Sequence, residues 1–176
     1  MSAQLIYDQA PLGAIIRYSD GTPRPPERHR RKLQAWENRN NRGRLVKKTA
    51  GRHTGEITFP GSFSLHEGDF ASLAVIVLRV FRTFSVDSAL EFSVVEQPAP
   101  GSILVLDRPG EASELVHVAQ NRQAADEWLS RHGYPDAVLQ EVTADQAAAD
   151  HVEGGQHDSF HPDPPFRFTD PGHFRG

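Results

Sequence analysis

The chain has 176 residues, enough for one domain, and its 38% hydrophobic content with 14 Gly and 13 Pro leaves part of it for loop or tail. It has no Cys, which excludes disulfides, thiolate metal sites and cysteine nucleophiles. The net charge of −4 divides unevenly: residues 1–60 hold 12 Lys/Arg against 5 Asp/Glu, and residues 61–176 hold 7 against 18.

Residues 1–21, "MSAQLIYDQAPLGAIIRYSDG", have no basic residue before Arg17 and no long apolar run, so they do not read as a secretory signal. A cytoplasmic location is expected. Arg outnumbers Lys 16 to 3, as a GC-rich, bacterial-type genome would produce. Residues 13–21 read as a strand, with Ile15, Ile16 and Tyr18 suited to a pleated surface and Asp20-Gly21 marking a turn. After the extended "TPRPP", the spacing predicts a helix over 27–40, with Pro26 in its first turn. A helical wheel puts Arg28, Arg31, Lys32 and Arg39 on one face and His29, Leu33, Trp36 and Asn40 on the neighbouring stripe. Asn38, Asn40, Asn41 and Gly43 stop the helix.

Residues 43–68 read as two or three short strands with Gly turns. The most apolar window, 70–81, is shorter than the ~20 residues a membrane span needs and contains Arg79, so no membrane association is expected. Phe70, Leu73, Ala74, Val77, Leu78 and Phe81 follow the helical period, whereas Val75, Ile76, Val77 and Val80 favour a strand. The period points to a buried helix over 69–82, capped by Asp69. Residues 84–98 alternate as a strand, and 101–120 form a hairpin around Arg-Pro-Gly-Glu. Residues 121–132 read as a helix with Asn121 as N-cap, Gly133 as a left-handed C-terminal residue, Tyr134 closing on Leu129, and Pro135 beyond. A strand over 136–142 and a short helix over 144–152, capped by Thr143, complete a ββαβα unit over 101–153.

The expected fold is therefore a single α+β domain over 1–153. It has a basic part over 1–60, a mainly antiparallel sheet of five to seven strands, and about four helices. Residues 154–176, rich in Pro and Gly, read as an extended tail in which Phe160, Phe166, Phe168 and Phe174 are candidate anchors.

Residues 24–48 hold ten of the nineteen Lys and Arg residues, and this is the feature that points to a function. Cations on one helix face, followed by more in the next segment, suit a phosphate backbone, because guanidinium forks match phosphate oxygens. The candidate contacts are Arg28, Arg31, Lys32, Arg39, Arg42, Arg44, Lys47 and Lys48, with Trp36 available to stack on a base. DNA or RNA is the expected partner, mostly without sequence readout. The alternative is a protein-interaction module, an inhibitor or assembly component, whose basic helix docks on an acidic protein or whose Phe-rich tail docks in a groove.

Little points to catalysis. There is no Gly-x-Ser-x-Gly elbow, Walker loop or Gly-x-Gly-x-x-Gly turn. Ser62, Ser64, His66 and Asp69 share one segment, but closeness in sequence does not make side chains converge. Trp128 and His132, one helical turn apart, read as core. His157, Asp158, His161 and Asp163 are suitable ligand types on a segment that gives them no fixed geometry. No cofactor, metal or catalytic residue is expected. A small hydrolase or metal enzyme, assembled only by the fold, is the least supported reading.

Overall fold

The computed structural model describes residues 1–72 and 75–144. Ten strands and three helices alternate along them. They are α1 (Ala3–Gln9), β1 (Ile15–Ser19), α2 (Arg30–Glu37), β2 (Asn41–Thr49), β3 (Arg52–Thr54), β4 (Ile57–Phe59), β5 (Ser62–Ser72), β6 (Val75–Ser85), β7 (Glu91–Glu96), β8 (Ile103–Leu106), β9 (Leu115–Ala119), α3 (Arg122–Leu129) and β10 (Val138–Glu141).

All strand pairs are antiparallel. The large sheet has the order β6-β5-β2-β1-β7, the small one β10-β8-β9, and β3-β4 is a separate hairpin. The described residues thus form one mainly antiparallel domain with three helices rather than about four. Of the four expected helices, the one at 27–40 forms over a shorter span as α2, and the one at 121–132 as α3, capped as expected by Asn121, whose Oδ1 accepts from Ala124 N–H at 2.9 Å. The helix expected at 144–152 and the tail at 154–176 lie outside the described residues, except for Ala144.

The expected helix over 69–82 does not form. Its residues belong instead to β5 and β6, paired from Ser62↔Ser85 to Ser72↔Val75. Helical spacing and β-branched composition competed here, and an eleven-residue strand with a partner of equal length pairs the backbone groups that face each other along both. The strand expected over 84–98 is cut at both ends, since 84–85 finish β6 and only 91–96 form β7. Gly133 is also not the left-handed residue expected. Among the described glycines, positive φ falls at Gly13, Gly21, Gly55, Gly101 and Gly110, and α3 ends earlier, at Leu129. Tyr134 stacks on Trp128, with ring centroids 5.5 Å apart.

Two cores flank β2. The first lies on one face of the large sheet. There Tyr18, Phe63, Phe84 and Phe92 pack ring against ring, and α1 covers them with Ala3 and Ile6. The second joins Val46 to Leu104, Leu106, Leu115 and Val142 and seats the small sheet on the other face. A β-bulge between Leu45 and Lys47 makes this division possible. Leu45 pairs with Leu65 on the first face, and beyond the bulge Lys47 pairs with Ser64 on the opposite face. Val46 and Lys47 therefore both lie on the small-sheet side, where Lys47 meets Glu114 at 3.6 Å.

Candidate functional site

The basic stretch splits between two elements. Arg28 precedes α2, and Arg31 and Lys32 lie on its first turn. All three are exposed, as is Arg30 beside them, and none has an ion-pair partner among the described residues. No residue of α2 is buried. The helix is held mainly at its C-terminal end. The Trp36 indole N–H donates to the Thr22 carbonyl at 2.8 Å, so this half-buried ring is pinned to the preceding loop. The Asn40 amide donates to Asp20 Oδ1 and the Trp36 carbonyl, and its oxygen accepts from Ser19 Oγ–H and Asp20 N–H. Hydrogen bonds from Thr22 and then Asn40 pull the Asp20 carboxyl down to about 2. Arg39 stands 3.8 Å from the same carboxylate.

The cations of β2 are engaged to different degrees. Arg42 is exposed and directly opposite Arg17 of β1, which brings in a cation from outside the stretch. Arg44 donates to the Gly13 carbonyl at 2.7 Å, and Lys47 pairs with Glu114. Lys48 emerges on the α1 side, 5.8 Å from the centroid of the Tyr7 ring, and its burial lowers its pKa. Arg31, Lys32 and Arg42 thus remain free for an external anion, and Arg28, whose Nε donates to His29 Nε2 at 3.2 Å, keeps its terminal N–H groups, while Arg39, Arg44, Lys47 and Lys48 already have protein partners. Sequence reasoning missed Arg17 and Arg30. The first needed the β1–β2 register, and the second needed a helix on which no residue is buried.

A cleft of about 370 Å³ opens between the large sheet and the β9–α3 unit. Its floor is a row of registered residues, Arg44, His66 and Phe81, across β2, β5 and β6. His66 Nε2 lies 2.8 Å from Asp69 Oδ1, and Arg79 Nε is 3.5 Å from the same oxygen. A regular strand puts positions three apart on opposite faces, and the bulge between His66 and Gly68 brings these two together. Ser62 and Ser64 do not join them, because Ser64 bonds Thr83 across the strands at 2.8 Å. On the far wall the imidazoles of His117 and His132 both stack on Trp128, with centroids 4.7 and 3.9 Å from it. His132 is exposed rather than core, and its Nδ1–H donates to the Trp128 carbonyl at 2.7 Å. Burial, then the nearby His132 and Arg44, lower the His117 pKa. Among the described residues no three His, Asp or Glu side chains converge as a metal site requires. No described helix is long and apolar enough to cross a membrane.

The model of one protein family, described as "Uncharacterised conserved protein UCP036055", matches residues 1–146 and so spans both sheets, the basic stretch and the cleft. The chain belongs to that family. No curated protein and no solved structure matches it.

Proposed function

We propose that the protein is a non-enzymatic binder of nucleic acid or a similar polyanion. Arg28, Arg31 and Lys32 around the start of α2, and Arg42 on β2, contact phosphates, and Arg30 and Arg17 extend the surface. One observation carries this reading. The described acidic residues do not cover α2, so its cations face solvent without carboxylate partners. Arg39 sits at the edge of this surface. Thr22 and Asn40 both bond Asp20 Oδ1, and Arg39 stands 3.8 Å from Oδ2 with its side chain 71% exposed, so Arg39 can reorient toward a phosphate. Arg44, Lys47 and Lys48 support the strand behind the contact surface. The half-buried Trp36 orients α2. Contacts of this kind fix position on a backbone without reading sequence.

Charge reversal tests the surface directly. Arg28→Glu with Arg31→Glu and Lys32→Glu is expected to weaken binding to a labelled DNA duplex or single strand at least tenfold. Arg17→Glu with Arg42→Glu is expected to have a smaller effect. Unchanged binding in both would refute the reading. A second reading, docking on an acidic protein, draws on the β3–β4 hairpin. There Ile57 and Phe59 are 62% and 42% exposed beside the cation Arg52, which lies 5.1 Å from the Phe59 ring centroid. It predicts no nucleic-acid binding at low salt, and loss of partner capture on Ile57→Ser with Phe59→Ser. The Phe-rich tail that the same reading invokes lies outside the described residues.

A further inference from the structure

The cleft needs an explanation that an outer polyanion surface does not supply. Its volume of about 370 Å³ falls in the range of small-molecule sites. Both carboxylates in its lining are already engaged, Asp69 by His66 and Arg79, and Glu114 by Lys47. The cationic side of the lining is not balanced in the same way. Arg44 has five N–H donors, and its one hydrogen bond among the described residues goes to Gly13. His132 commits Nδ1 to Trp128 and keeps Nε2. His117 faces Arg44 and His132, two groups that disfavour its protonation. The remaining lining is apolar, with Val46, Leu115, Val118 and Phe81, and Phe81 is left 45% exposed.

We propose that this cleft binds a small organic anion, its acid group held by Arg44 and His117 and its apolar body lying against Phe81, Val46, Leu115 and Val118. A bound cation is disfavoured there, because Arg44 and Arg79 line the same space. The acid group is a carboxylate or a phosphate, since a guanidinium fork and an imidazolium serve both. The imidazolium form of His117 would be stabilised by the ligand, so binding should take up a proton near neutral pH.

Imidazole NMR of the full chain, titrated with phenyl phosphate, benzoate and neutral benzamide, tests this. Saturable shifts at His117 and His132 are expected with one or both anions, together with an upward shift of the His117 pKa and no response to benzamide. The tighter of the two anions identifies the acid group. Arg44→Gln is expected to weaken binding at least tenfold. Because Arg44 also holds Gly13, His117→Gln serves as a second variant. It leaves that bond intact and should also weaken binding severalfold, read at His132. The variant Arg28→Glu with Arg31→Glu and Lys32→Glu should bind these probes normally, which separates this site from the outer surface. No saturable shift at millimolar anion, an equal response to benzamide, or unchanged affinity in both cleft variants would overturn the proposal.

Discussion

Tyr18 illustrates what one buried residue does here. Its ring lies in the first core, and its hydroxyl donates to Glu67 Oε1, a carboxylate left 9% exposed and also paired with Arg82 at 3.0 Å. Arg82 then donates to the Asn38 carbonyl at 2.6 Å and so reaches the end of α2. Burial first, and then the hydrogen bond to Glu67, raise the Tyr18 pKa well above the usual phenol value. A raised pKa gives stability that is fully present below the unfolded value near pH 10 and is lost as pH rises through the folded one. Tyr18→Phe is therefore expected to cost about 1–2 kcal/mol at neutral pH, and to flatten the decline in stability above about pH 10. Urea denaturation on either side of that pH checks both effects. The sequence marked Tyr18 as a strand residue but gave no hint of Glu67, because the pair is 49 positions apart. His66 and Asp69 were visible as neighbours, yet only a bulge puts both on one face of the sheet. The Asp20-Gly21 turn was legible because its chemistry is local. Thr22 N–H and Oγ–H both reach Asp20, and Gly21 has a φ of +75°.

At the scale of elements, α2 is held near its end by Asn40, beside the bonds of Trp36 and Arg82. Asn40 makes four hydrogen bonds that tie the helix end to β1. Sequence reasoning saw it only as a helix stop. Asn40→Ala is expected to release α2, speeding amide exchange over 30–37 while costing about 1–2 kcal/mol overall. Exchange rates equal to those of the parent would show that the helix is held elsewhere. Between β2 and β5 the critical position is Gly43. A Cβ built there would lie 2.8 Å from the His66 carbonyl oxygen and 2.9 Å from Leu65 Cβ. Gly43→Ala should therefore strain this pairing and lower stability by about 1–3 kcal/mol in thermal unfolding. Elements with local signals were readable. Asn121 capped α3, and the hairpin over 101–120 appeared as β8 and β9. The stretch over 69–84 was misread because an apolar segment with a helical period can also supply two long paired strands, and the pairing is a nonlocal fact.

At the scale of the whole molecule, the charge asymmetry resolves in an unexpected place. Residues 1–144 hold 17 Lys/Arg and 17 Asp/Glu, and residues 145–176 hold 2 and 6, so the net −4 belongs to the last segment. The described domain is formally neutral, with most of its unpaired cations gathered around α2 and the Arg17–Arg42 pair. Long-range repulsion of a polyanion then comes from the C-terminal segment and is screened by salt over about 10 Å at 0.1 M. Changing Asp158, Asp163 and Asp170 to Asn should tighten nucleic-acid binding at low salt, with the difference fading as salt rises. The central claim is that solvated cations on and beside α2 neutralise phosphates. The measurement that tests it most directly is fluorescence anisotropy of a labelled DNA duplex titrated with the full chain across a salt series. The six cations of this surface predict that log affinity falls against log salt with a slope of about 5. That slope should drop by about 3 when Arg28, Arg31 and Lys32 are reversed. A slope near zero, or no binding at the lowest salt, would contradict the account.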